Sequence, residues 1–327
     1  MIPASADAWL PPIVNNSQGK ARTVGIELEF TGLSHGRTTE VLAGWASQKA
    51  THRSLVEARV LHEPLGEFAV EVDWRYLKET AQEQQITEGS EAWVRLLREA
   101  ARLIVPVEVI GPPIAIRDLP QLESLVQCLR QAGAQGTGDS PIAAYGLHIN
   151  PEVPELSADA VTPYLQAFAL LQWWLVARHQ VDMTRRLSTY VHLYSEDYLD
   201  KVLRYQVPPT MERLLDDYFE HNPTRNRALD LWPLFAEYAP DRVKELMDEP
   251  LIKARPTFHY RLPNCEIDRP TWRLEDEWNA WLVVEKLAAD TDSLQQMTSR
   301  YFSAKRPLLG INKRHWIKSM DEWVRSL

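Results

Sequence analysis

Apolar and polar positions alternate strictly in several short stretches of the chain. In TVGIELEF, Ile26, Leu28 and Phe30 interleave with Glu27 and Glu29, the period-2 pattern of a strand that buries one face and turns two carboxylates out of the other. EFAVEVDW, from Glu67 to Trp74, repeats the pattern, with Phe68, Val70, Val72 and Trp74 opposed to Glu67, Ala69, Glu71 and Asp73. A short strand in VPVEVIGPP carries Glu108 between Val107 and Val109 and is ended by Pro112 and Pro113. YGLHINPE places Tyr145, Leu147 and Ile149 against His148 and Asn150, and TFHYRLPN places Phe258, Tyr260 and Leu262 against His259 and Arg261.

Between these strands the period lengthens to that of a helix. EAWVRLLREAARLI, Glu91 to Ile104, has helical spacing. A helix from about Pro120 to Ala132 carries Leu122, Leu125, Val126 and Leu129 on one face and stops at Gly133, a residue suited to a left-handed cap. Ser157 opens a long helix that continues past Pro163, and the chain stays mostly helical to about Asp248. A last helix is predicted around Glu275 to Ala289. The pattern gives an α+β protein: an N-terminal arm over residues 1–22, rich in Pro, Asn and Ser, then a single domain over 23–327 with a mostly helical insertion at about 156–250.

Composition narrows the function. At 327 residues, 45% apolar and 25% charged, with twelve Trp, the chain can bury a substantial aromatic core. With 36 Lys and Arg against 45 Asp and Glu, the net charge of −9 excludes a general nucleic-acid backbone binder. Cys128 and Cys265 stand too far apart for a zinc-type spacing. The start lacks the basic and apolar regions of a signal peptide, and AFALLQWWLVA, Ala167 to Ala177, is interrupted by Gln172 and too short to span a bilayer. A soluble, cytoplasmic protein with no membrane or nucleic-acid partner is expected.

The chemistry lies on the polar faces of the strands. Each alternating segment puts ionisable or coordinating groups there: Glu27 and Glu29; Glu67, Glu71 and Asp73; Glu108; His148 and Asn150; His259 and Arg261. One Glu-x-Glu strand is more often a solvated face, and one strand histidine is more often structural. Five such segments sharing a sheet would crowd carboxylates that cannot all ionise without a cation among them. Mg²⁺ and Mn²⁺ prefer such oxygens with an occasional imidazole and commonly bridge to nucleotide phosphates. Arginines add the complement: Arg185 and Arg186 in MTRRLSTY, and Arg225 and Arg227 in NPTRNRALDLW, suit phosphate or carboxylate ligands. CEIDRPTWRLEDEW reads as a helix entrance laced with ion pairs.

Taken in order, these segments resemble the amidoligase family, which is grouped with glutamine synthetase and glutamate cysteine ligase in the carboxylate–amine ligase fold. The resemblance rests on GIELEF; on EVDW; on VEVIGPPI, similar to Glu-Val-x-Ser-Pro; on YGLHINPE, similar to Gly-x-His-x-His; on RNRALDLWPLF, similar to Arg-x-x-Ala-Leu-Asn; and on FHYRLPNCEID, similar to a Glu-Phe-Arg strand. Together they run from about Val24 to Ala289. The resemblance implies a curved, mainly antiparallel sheet of the glutamine synthetase catalytic type, with helices packed on one face and a helical insertion. It implies ADP-forming, ATP-dependent joining of a carboxylate to an amine through an acyl phosphate, with Mg²⁺ or Mn²⁺. Glu27, Glu29, Asp73, Glu108, His148 and His259 become metal-side groups; Arg261, Glu29 and His148 become catalytic; Arg186, Arg225, Arg227 and Asn150 become nucleotide-side.

Four departures stand out: Asn150 replaces the second His of Gly-x-His-x-His, His259 replaces the strand Glu, Asp230 stands where Asn is usual, and WRYL follows Asp73 where Gly-Ser is favoured. They motivate a second expectation, a non-catalytic relative that binds nucleotide or an amino-acid-like ligand as a regulatory or assembly module. A metal-dependent phosphohydrolase is a third. The substrates are expected to be small-molecule or peptide carboxylates and amines, with a glutamine amidotransferase partner and a homo-oligomer left open.

Overall fold

The computed structural model of the chain describes residues 9–73, 86–102, 105–137, 145–181, 191–247, 252–307 and 309–327. These residues form an α+β protein with a mainly antiparallel, open sheet. The chain divides into two compact units: Thr23–Ile149 with Pro263–Asp276, and Met1–Arg22 with Asn150–Leu262 and Glu277–Leu327.

The first unit is built on strands β1 (Thr23–Phe30), β2 (Thr51–His52), β3 (Glu57–His62), β4 (Gly66–Val72), β5 (Val107–Ile110) and β6 (Ile114–Ala115), together with the first residues of β7 (Leu147–Pro151). Their order is β2-β3-β4-β5-β1-β7, with β6 also on β1. Alternation sets the faces: Ala58, Val70, Val109 and Leu28 are buried on one side of successive strands, and the opposite positions carry the acids. The helix His35–Ala46, capped by Ser34, packs on β3, β4 and the helix Leu122–Ala132. That second helix ends at Gly133, with φ 103°, as its sequence predicts. Its start is later than the pattern suggests, because Pro120 lies in a 3₁₀ turn over Ile116–Gln121. The helix Glu91–Arg102 buries Trp93 and Leu96 against Val56, Val72 and Val105. Trp74, predicted to end β4, lies outside the described residues, as do Leu103 and Ile104.

The second unit is mostly helical. Ser157 Oγ accepts the Ala160 N–H to start the helix Ala158–Arg178, which runs on through Pro163. The helices Glu196–Leu203, Thr291–Ala304 and Lys313–Val324 pack around it, over buried Phe168, Tyr194, Tyr198 and Tyr218. Short strands β8 (Leu229–Asp230) and β9 (His259–Tyr260) pair antiparallel, Asp230 opposite His259. The predicted strand to Asn264 is thus cut to two residues, while farther along the Pro263 carbonyl accepts the Leu147 N–H and Asn264 forms an isolated bridge with Gly146. Behind β9, the Tyr260 hydroxyl lies 2.5 Å from His179 Nε2, and His179 Nδ1 bonds Glu277.

The N-terminal segment is docked on this unit by a buried cation. Arg22, fully buried, pairs with Glu285 at 2.9 Å and donates to the Glu152 carbonyl, while Tyr164 and Trp281 also donate to Glu285. Every oxygen of the buried carboxylate is thereby engaged, the condition under which a buried ion pair is tolerated. Trp278 Nε1 donates to the Trp9 carbonyl at 2.7 Å. Among the described residues, no helix is long and apolar enough to cross a membrane.

Candidate active site

Strand register decides what the acids of the first unit face. Glu29 on β1 is directly opposite Glu108 on β5, Glu108 is opposite Glu71 on β4, and Glu71 is opposite Glu57 on β3. Residues directly opposed in a ladder share a face and repel when alike in charge, so a row of four carboxylates crosses four strands. Arg59 relieves one end, reaching Glu57 at 2.6 Å and Glu71 at 3.3 Å. At the centre, among the described residues, no basic side chain pairs with Glu108. Burial pushes its carboxyl well above the ordinary range, reinforced by the charges of Glu27, Glu29, Asp73 and Glu71.

His148, on β7, completes this end of the row. Its Nδ1 is 3.1 Å from Glu27 Oε2 and its Nε2 is 3.6 Å from Glu29 Oε1. With the Nδ1 proton donated to Glu27, the Nε2 lone pair is presented on the Glu29 side. Glu29 is itself positioned by the backbone, its Oε2 accepting the Gly146 N–H at 2.8 Å. Glu29, Glu108 and His148 each offer a ligand atom, all within 4.8 Å of one another. Two carboxylate oxygens and an imidazole nitrogen form a donor set that suits Mg²⁺ or Mn²⁺. Asp73, at the end of β4, is anchored through its N–H to the Pro106 carbonyl. Its charge acts on Glu108 and also on Tyr145, whose phenol is pushed up by burial first and then by Asp73 and Glu29.

Asn150, His259, Arg225, Arg227 and Arg261 belong to the second unit. His259 is buried, and Arg255 Nη2 donates both to its Nδ1 at 2.7 Å and to Asn150 Oδ1 at 3.3 Å. Arg261 Nη2 donates to Asp230 Oδ2 at 3.3 Å. Burial pushes the Asp230 carboxyl up, against the pull of Arg261 and Arg225. Arg227 lies apart from that carboxylate contact, its guanidinium donating to the carbonyls of Leu193 and His221. Arg185 and Arg186 lie outside the described residues.

The structure therefore gathers Glu27, Glu29, Asp73, Glu108 and His148 in one unit, and Asn150, His259, Arg225 and Arg261 in the other. Sequence patterning did not single out Arg255 or Tyr145 as site residues. Arg255 falls outside the alternating stretch that holds His259, and Tyr145 sits on the apolar side of its own pattern. Arg269 and Arg273 make the ion pairs expected of the segment entering the last predicted helix, with Glu266 and Glu275.

No curated protein and no solved structure matches the chain. The acids, the imidazole and the arginines described above nevertheless all fall within residues 20–283, the span matched by the model of the family described as "putative amidoligase enzyme", and the chain belongs to that family.

Proposed function

We propose that the protein is an ATP-dependent carboxylate–amine ligase of the glutamine synthetase type that activates its acid as an acyl phosphate. The observation that carries this reading is the set of Glu29, Glu108 and His148 at the centre of a carboxylate row too crowded to ionise fully alone. Mg²⁺ or Mn²⁺, when bound there, supplies the positive charge that offsets these acids and attracts phosphate oxygens. Glu29 and Glu108 contribute oxygens, His148 contributes Nε2, and Glu27 holds the imidazole in that tautomer. Arg261, with Arg225 and in a lesser role Arg186 and Arg227, offers guanidinium donors to phosphate or to the acid's carboxylate. Asn150 offers an amide to the nucleotide.

In the reaction, a carboxylate oxygen attacks the terminal phosphorus of ATP and ADP leaves. The amine nitrogen then attacks the acyl carbon, phosphate departs and the nitrogen gives up a proton. The protein's share is alignment and charge neutralisation. The test is ADP release with Mg²⁺, ATP and mixtures of acids and amines, with the amide read by mass spectrometry. Glu29→Gln is expected to abolish turnover while the circular dichroism spectrum stays that of the parent. Turnover retained in Glu29→Gln, or ATP hydrolysis by the parent that needs no amine, overturns the assignment.

One observation favours a second reading. At Asn150 and His259, two of the positions that depart from the family pattern, Arg255 lies against both side chains. A non-catalytic nucleotide-binding module would bind a non-hydrolysable ATP analogue with Mg²⁺ in calorimetry yet release no ADP with any mixture.

A further inference from the structure

Asp230 is buried to 0% exposure and sits on β8 directly opposite His259. Its two oxygens have separate tasks. Oδ1 accepts the Trp232 N–H at 2.9 Å, which fixes the carboxylate to the head of the helix Trp232–Tyr238. The neighbouring Leu231 N–H donates to the Tyr218 hydroxyl, so the turn that carries Asp230 is held from a second side. Oδ2 faces Arg261 Nη2 at 3.3 Å. The charged groups that act on Asp230 are Arg261 and Arg225, and the phenols of Tyr218 and Tyr194 are near enough to feel its charge.

We propose that Asp230 is a positioning residue for Arg261: a carboxylate locked by the backbone sets the plane of the guanidinium before an anionic ligand arrives. The inference rests on the reading of Arg261 as a ligand for phosphate or for the substrate carboxylate. A free arginine side chain loses much rotamer entropy when it closes on an anion. One held by a fixed carboxylate has lost that freedom already, which is the physical content of preorganisation. The contact to Asp230 is made through Nη2 of the planar guanidinium, so it bears directly on how the fork lies. Asparagine at this position keeps an oxygen for the Trp232 N–H. Its amide NH₂ would then point at Arg261, donor against donor, so Asp230→Asn removes the orienting contact and spares the bond to the Trp232 amide.

The experiment compares the parent, Asp230→Asn, Arg261→Gln and the double variant. Calorimetry measures affinity for a non-hydrolysable ATP analogue with Mg²⁺. ¹⁵N NMR follows the Arg261 Nε–H signal, identified by its loss in Arg261→Gln, with the Trp232 backbone amide as control. Asp230→Asn is expected to weaken the analogue by about tenfold or more, as for loss of a charge-assisted hydrogen bond. The double variant is expected to be no weaker than Arg261→Gln alone, because the two residues act in series. The Arg261 signal should exchange faster with solvent in Asp230→Asn while the Trp232 amide holds.

Additive losses in the double variant, or an Arg261 signal indifferent to Asp230→Asn, overturn the proposal. If the parent fails to bind the analogue, the ligase reading falls, while the NMR comparison still decides whether Asp230 positions Arg261. Should Asp230→Asn not fold, Asp230→Ser, whose hydroxyl can still accept from the Trp232 amide, takes its place in the same comparison.

Discussion

Glu108→Gln separates the two roles assigned to the acidic row. Ligand atoms of Glu29 and Glu108 lie within 4.8 Å of each other. At an effective dielectric near 20, two unit charges about 5 Å apart repel by about 3 kcal/mol. Without metal, the folded chain must bear that repulsion or keep a proton on Glu108, and either course costs stability. The sign follows from linkage. Glu108 has a folded-state pKa above its ordinary value of 4.5, so as pH rises from there the folded chain retains a proton that the unfolded chain has lost, and metal-free stability falls with pH. Glu108→Gln removes the charge and is expected to be more stable than the parent in EDTA at alkaline pH, by at most about 3 kcal/mol, with the gain shrinking as pH falls toward 5. With Mn²⁺ the order reverses, because one oxygen ligand is lost; each tenfold loss of cation affinity removes about 1.4 kcal/mol of stabilisation at saturation. Thermal denaturation by circular dichroism from pH 5 to 9, in EDTA and across a Mn²⁺ titration, reads both arms. A Glu108→Gln variant less stable than the parent in EDTA at pH 8, or stabilised equally by Mn²⁺, would refute the electrostatic argument.

Three further substitutions probe the scaffold. Arg22→Ala leaves Glu285 buried without its cation and is expected to cost about 3–5 kcal/mol in urea denaturation; a loss under about 1 kcal/mol would mean that the N-terminal segment is not held as described. Gly136→Ala places a Cβ 2.0 Å from the Cys265 carbonyl oxygen and 2.8 Å from the Ile267 nitrogen, both backbone, so it should be severely destabilising or yield no soluble protein, and near-parental stability would contradict the packing of that loop. Gly44→Ala, in the exposed part of the helix His35–Ala46 with nothing within 4 Å of the added carbon, should stabilise by about 0.5–1 kcal/mol, and a measured loss would count against the helix there.

The elements that can be read along the chain are those set by near neighbours. Ser157 opens its helix and Gly133 closes another because each acts on residues a few positions away. The strand Thr23–Phe30 follows from its own alternation. The strand Glu57–His62 escaped such reading, since its polar face carries Glu57, Arg59 and Leu61, a mixture without a clean period. Glu57 accordingly entered the carboxylate row only through its pairing with Glu71. The arginine contacts are of the same kind: nothing in KARPTFHY marks Arg255 as the partner of His259 and Asn150, and nothing in ALDLW shows that Asp230 divides its oxygens between Trp232 and Arg261.

By itself, then, the order of residues determined several of the strands and helices, where some of them end, and that the polar faces of those strands are acidic. Tertiary structure alone decided that Glu29, Glu108 and His148 converge, that Arg59 quenches only one end of the row, and that Arg261 is held by Asp230. The reason is one of range. Periodicity and capping depend on bonds between residues within a turn or two, whereas strand register is chosen by burying apolar faces drawn from distant parts of the chain, and the charges on the opposite face take whatever neighbours that choice imposes.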